Sequence, residues 1–180
     1  MALVPSRIII VMGVSSSGKS TTGLSIARRL HVPFLDGDGY HPQANVEKMR
    51  AGIALDDADR WPWLERLAEA LHEAADRKGA AVGACSALKR AYRQYLAEKA
   101  GEPILFVYLH GSREVIGERM ARRQHQYMPT SLLDSQFATL EIPDPQIENV
   151  LVVPVTDSVD RITQTVTKSL DHLKTFKRWQ

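Results

Sequence analysis

The apolar run Ile8-Ile9-Ile10-Val11-Met12 passes directly into Gly13-Val14-Ser15-Ser16-Ser17-Gly18-Lys19-Ser20, and no other junction constrains the chain as strongly. The pattern G-x-x-x-x-G-K-[ST] wraps successive backbone N–H groups around the phosphates of a nucleotide, sets a lysine on the outer phosphates and offers a hydroxyl to Mg²⁺. Here Lys19 is the cation and Ser20 the metal-side hydroxyl, while Gly13, Val14, Ser15, Ser16, Ser17, Gly18 and Thr21 complete the nucleotide-binding stretch. Leu24, Ala27 and Leu30 then recur at helical spacing, so a helix N-terminus points at the phosphate. The strand before and the helix after distinguish the segment from a chance glycine-serine loop.

With 180 residues and 44% hydrophobic content, the chain is expected to form a single domain over 1–180. Lysine and arginine total 23 against 21 acidic residues, with no long run of like charge, which argues against a nucleic-acid partner. Cys85 is the only cysteine, so no intrachain disulfide forms. No apolar stretch approaches the roughly 20 residues of a membrane span. The N-terminus also lacks a signal-like apolar region, and the expectation is a cytoplasmic protein with no membrane partner.

β-rich runs at Arg7–Met12, Phe34–Asp36, Ala80–Cys85, Ile104–Leu109 and Val150–Val155 alternate with helical stretches, the order of an α/β fold with a five-stranded parallel sheet. Leu64, Leu67, Leu71 and Ala75 mark one helix running to about Lys78; Val159, Ile162, Val166, Leu170 and Leu173 mark another. The near-continuous apolar runs at 104–109 and 150–153 suit strands covered on both faces. Right-handed crossovers bring all strand ends to one edge, so the loops beginning at Gly13, Asp36 and Ser86 meet there.

Asp36 and Asp38, two residues apart at a strand end, suggest phosphoryl transfer to an alcohol, one carboxylate serving the metal and the other the hydroxyl. An Asx-type turn is the alternative reading of the same residues.

Together with the phosphate loop, Leu35-Asp36-Gly37-Asp38 with His41-Pro42, Asp57 to Arg60 followed by Pro62-Trp63-Leu64, Cys85-Ser86-Ala87-Leu88-Lys89, and Ser135-Gln136-Phe137-Ala138-Thr139-Leu140-Glu141 resemble the gluconokinase family along nearly the whole chain. The resemblance implies ATP- and Mg²⁺-dependent phosphorylation of D-gluconate to 6-phosphogluconate. It also implies a three-layer P-loop kinase fold related to shikimate and adenylate kinases, a mobile lid at about 124–132, and a homodimer. By position, Asp38 contacts the acceptor hydroxyl and Asp36 lies near the metal shell.

Gluconate is an anion, and a site selective for it needs a cation matched to a carboxylate, for which arginine is best suited. Arg60 is the first candidate and Lys89 the second; alternatively Arg60 pairs with Asp56, Asp57 or Asp59 on the surface. Ser86 belongs to the acceptor side. His41 either bonds a polyol hydroxyl or caps a helix starting at Pro42. Arg119, Arg122 and Arg123 sit on the helix feeding the lid, where at least one can face ATP and the rest form a solvated face. Thr156 falls in the position of an adenine-contacting loop, though Thr156-Asp157-Ser158 also reads as a helix N-cap. One departure stands out: the family usually has glycine where this chain has Ser16, which affects the loop's conformation. A shikimate-type kinase and a nucleotide-dependent switch are the competing readings. The second expects N-K-x-D, but Asn45 precedes Val46 and Asn149 precedes Val150.

Overall fold

The computed structural model describes residues 3–122 and 130–170; Arg123, residues 124–129 of the lid expected at about 124–132, and Leu173 lie outside them, while 130–132 open a helix. Five strands, β1 (Ile8–Met12), β2 (Phe34–Asp36), β3 (Ala81–Ala84), β4 (Ile104–His110) and β5 (Val150–Pro154), form one sheet in the order β2-β3-β1-β4-β5. All four pairings are parallel. The helices are α1 (Lys19–Leu30), α2 (Gln43–Arg50), α3 (Asp57–Lys78), α4 (Arg90–Ala100), α5 (Arg113–Arg122), α6 (Thr130–Thr139) and α7 (Val159–Ser169).

Strand periodicity builds two cores from one sheet. Ile8, Ile10 and Met12 of β1 pack with Leu64, Leu67 and Leu71 of α3 and with Tyr92 and Leu96 of α4. Ile9 and Val11 point the other way, to Ile26 of α1, Ile116 of α5, and Ile162 and Val166 of α7. Each β1 side chain is fully buried, which stabilises the fold by about 1.5–3 kcal/mol per large apolar residue. β1 sits where the strand order reverses, with β3 on one side and β4 on the other, so its loop opens into the crevice where α/β folds bind ligands.

Two differences from the sequence expectation have physical causes. α3 starts at Asp57, well before Leu64, because Asp56 and Asp59 form a reciprocal capping box. The Asp59 N–H donates to Asp56 Oδ1 at 2.8 Å and the Asp56 N–H to Asp59 Oδ2 at 3.0 Å. Pro62 is tolerated inside the helix at the loss of one intrahelical bond. The longer helix makes Arg60 and Trp63 helical residues with fixed directions. Second, β5 is an edge strand rather than a doubly covered one, and Val152 is 40% exposed. Among the described residues no helix is long and apolar enough to cross a membrane.

Candidate active site

The phosphate loop turns on three residues at positive φ, Gly13 at 146°, Ser16 at 61° and Gly18 at 97°. Glycine adopts this region freely, whereas serine does so under strain, which gives a physical reason for glycine at the position of Ser16 in the resembling family. Lys19 begins α1, and its Nζ donates to the Val14 carbonyl at 2.9 Å, holding the ammonium over the loop. From the far side Gln136 of α6 reaches in: its Oε1 accepts from the Ser15 N–H at 2.6 Å and its Nε2 donates to Ser15 Oγ at 3.0 Å.

The end of β2 supplies the carboxylates. Asp36 Oδ2 accepts the Ser20 hydroxyl at 2.6 Å, while its Oδ1 accepts the Asp38 N–H at 3.2 Å. Asp36 thus forms the local turn and also stands beside the loop's hydroxyl, so the two readings of this residue describe one arrangement. An exposed serine hydroxyl and a carboxylate in contact are hard oxygen donors on the phosphate side, a set that fits Mg²⁺. The chain then makes a short 3-10 turn, Gly37–Tyr40. A Cβ at Gly37 would collide with the Ala84 carbonyl oxygen, and Trp63 Nε1 donates to the Gly37 carbonyl at 2.7 Å, so Asp38 leaves a tightly held backbone.

A cavity of about 330 Å³ lies between the loop, α2, α3 and α6, within the size range of small-molecule sites, about 300–1,000 Å³. Lys19, Asp38, His41, Arg60 and Ser86 all line it, joined by Gln136. Val46, Met49, Ile53 and Leu55 form an apolar wall. Asp38 opens to this cavity but stands among enough protein that desolvation raises its carboxyl above the ordinary aspartate range; the charge of Asp36 adds to this and Lys19 opposes it. The His41 ring stacks on Trp63 with centroids 4.0 Å apart. Burial first, and then the charge of Arg60, lower the His41 pKa to about 4, so the ring is neutral at physiological pH.

Arg60 is not a surface partner of the nearby aspartates. Asp56 caps α3, Asp59 holds Lys48 at 2.6 Å, and Asp57 holds Lys89 at 2.8 Å and also accepts the Tyr92 hydroxyl. The guanidinium donates through one Nη to the Leu55 carbonyl at 3.2 Å and lies 5.5 Å from the Tyr92 ring centroid. Its Nε is buried and without a partner. Among the described residues only one other buried side-chain atom is orphaned, Ser17 Oγ in the phosphate loop. Both orphans therefore belong to this site. Lys89, the second candidate cation, falls outside the cavity lining because its ammonium is committed to Asp57.

The residues proposed for the nucleotide's far end separate. Arg119 donates to the Val155 carbonyl, beside the loop that carries Thr156. Arg122 is 82% exposed and 3.9 Å from Glu118, a solvated helix face; Arg123 is outside the described residues. Ser158 caps α7 by accepting the Arg161 N–H at 3.2 Å, while Thr156 is exposed. Burial pushes the Cys85 thiol up to about 12, so it is no nucleophile. Sequence reasoning did not single out Gln136, Trp63 or Asn45 as site residues. Gln136 and Trp63 lie in quoted motif segments, and Asn45 lies one helical turn after His41, the available signals for each.

The AAA domain family matches residues 8–143. A gluconokinase of Gluconobacter oxydans is 48% identical over 145 residues, covering 79% of this chain and 79% of the relative. Among solved structures, a gluconokinase from Sinorhizobium meliloti superposes with TM-score 0.81 at 42% identity, covering 96% of this chain and 97% of the other. A sugar kinase from Janibacter sp. superposes with TM-score 0.85 at 40% identity, covering 93% and 95%.

Proposed function

The chain belongs to the gluconokinase family, and on that premise we propose that it transfers the terminal phosphoryl group of ATP to D-gluconate, giving 6-phospho-D-gluconate and ADP. The observation that carries the acceptor assignment is the buried, orphaned Arg60 Nε lining the same cavity as Lys19 and Asp38. A guanidinium with open donors at one end and a carboxylate beside the phosphate loop at the other fit an acid bearing a distant hydroxyl.

In this reading Arg60 takes the gluconate carboxylate through its planar fork. His41 and Ser86 bond hydroxyls along the chain, and the apolar wall excludes water. Asp38 orients the terminal hydroxyl and receives its proton as the new O–P bond forms and the bond to ADP breaks. Its raised pKa suits a proton acceptor. Lys19 and the loop N–H groups stabilise the charge on the transferred group. Ser20 and Asp36 would hold Mg²⁺, which supplies further charge neutralisation at the phosphates. Arg119 and Thr156 belong to the nucleotide's far end. The reading takes the whole chain, 1–180, as one catalytic domain, acting as a homodimer in the cytoplasm; light scattering of purified protein tests the dimer.

An ATP-consumption assay against gluconate, shikimate, AMP, glucose and water tests the assignment. Turnover with gluconate alone is expected. Faster turnover with shikimate or AMP overturns it in favour of another small-molecule kinase, and hydrolysis that ignores every acceptor favours the nucleotide switch.

A further inference from the structure

Asn45 is only 3% exposed, an unusual place for a primary amide unless each of its hydrogens has a partner. Its Nδ2 lies 2.8 Å from the Asp59 carbonyl oxygen and 3.3 Å from His41 Nδ1. A carbonyl only accepts, so the amide nitrogen, not the amide oxygen, faces Asp59. The same NH₂ group has one further hydrogen, and it meets His41 Nδ1. That ring nitrogen must therefore be the acceptor, and in a neutral imidazole the proton then sits on Nε2. The ring plane is fixed independently by the stack on Trp63, at 4.0 Å and 19°.

We propose that Asn45 is a positioning residue for the acceptor site: it locks His41 as the neutral Nε2–H tautomer, so that the ring presents a hydrogen-bond donor to an oxygen of the bound polyol. The inference rests on reading the cavity as the acceptor site. Its consequence is one of specificity, since a donor at this point accepts hydroxyl and carboxylate oxygens alike and selects against a substrate that places a methyl or methylene there. The charged groups around the ring are Arg60 on α3 and, lining the same cavity, Asp38 and Lys19. Asp59, whose carbonyl Asn45 holds, is neutralised by Lys48 at 2.6 Å. Burial and Arg60 both disfavour the imidazolium, so the locked neutral ring persists across the physiological range.

The test begins with long-range ¹H–¹⁵N correlation spectra of the histidine rings, assigned with His41→Gln. The wild-type ring is expected to carry its proton on Nε2 and to stay neutral well below the ordinary histidine value. Asn45→Asp puts a carboxylate on Nδ1 and should raise the His41 pKa by about one unit or more. It should also raise the gluconate KM about tenfold, the loss of one hydrogen bond, with the ATP KM unchanged. In a His41→Gln background the side-chain amide supplies an N–H without a tautomer, so adding Asn45→Asp should change the gluconate KM by less than about twofold.

A wild-type ring protonated on Nδ1 overturns the proposal. So does an Asn45→Asp protein whose His41 pKa moves while its gluconate KM does not, or a KM change that persists in the His41→Gln background. Asn45→Ser, too short to hold both acceptors, gives mixed tautomers and serves if the aspartate variant fails to fold. Failure of the underlying function is distinguishable, because wild-type protein would then not turn over gluconate whatever the tautomer.

Discussion

The two halves of the site are built from different material. The donor half, the side proposed to take ATP, is main chain: one loop between β1 and α1, shaped by positive-φ backbone at Gly13, Ser16 and Gly18, whose N–H groups would bind the phosphates. The acceptor half is side chain: Asp38, His41, Arg60 and Gln136 arrive from the 3-10 turn, the approach to α2, α3 and α6. A backbone cradle binds what every nucleotide shares and tolerates changes of side chain. In the proposed function a side-chain cavity selects the acceptor, and three of its members depend on other residues for their direction: Asp38 on Trp63, which holds the turn that bears it, His41 on Asn45, and Arg60 on the Asp56–Asp59 capping box of its helix. Substitutions in the two halves should therefore fail in different ways.

The largest effect belongs to the one donor-half side chain that acts by charge. Lys19→Ala should lower kcat by about 10³-fold with an unchanged circular dichroism spectrum, the loss of a cation aimed at the transferred group. A folded variant with normal kcat would remove the distinction between the halves at its strongest point.

Asp38→Asn should lower kcat by about 10²-fold, the scale of general acid–base catalysis, and should leave ATP affinity nearly unchanged. A collapse of ATP binding instead would move Asp38 to the metal side. The same variant carries a stability prediction of opposite sign. Because the folded-state pKa is raised, the folded protein binds the proton more tightly than the unfolded chain, so the ionised carboxylate opposes folding. That cost appears as pH rises from the ordinary aspartate value, about 3.9, through the raised one. Asp38→Asn should therefore melt higher than wild type at neutral pH and lose the advantage near pH 3. For the same reason the acid limb of kcat should lie above the ordinary carboxylate range.

Arg60→Lys should raise the gluconate KM about tenfold while the ATP KM holds, because a point charge does not reproduce the planar fork. The smallest effect lies in the backbone of the donor half. Ser16→Gly relieves a left-handed penalty of about 1–2 kcal/mol but gives back about 0.4–1 kcal/mol through the freer unfolded chain. The net gain of about 0.5 kcal/mol should raise Tm by about 1–2 °C, with kcat nearly unchanged.

The same contrast explains what could be read from the sequence. The donor half was legible because its residues are consecutive and its pattern is dictated by backbone geometry; the sheet was legible because β1 and β4 are unbroken apolar runs. The start of α3 was hidden by Pro62 and by a capping box made of two aspartates instead of the usual serine or threonine with glutamate. The partner of Arg60 was hidden because three aspartates and three cations lie close together, and only coordinates assign Lys48 to Asp59 and Lys89 to Asp57. Gln136 meets Ser15 across 121 positions of sequence, a contact that no local spacing encodes.

In the proposed function the acceptor half recognises a carboxylate through Arg60, while the donor half is indifferent to it. The most direct measurement is kcat/KM for D-gluconate and for D-glucitol, its neutral counterpart, in wild type and in Arg60→Gln, at saturating ATP. Wild type is expected to prefer gluconate by about 10²-fold or more, and Arg60→Gln to shrink this preference by at least about tenfold through a fall in the gluconate kcat/KM alone. An undiminished preference in Arg60→Gln, with the ATP KM unchanged, would contradict this and give the carboxylate to a different residue.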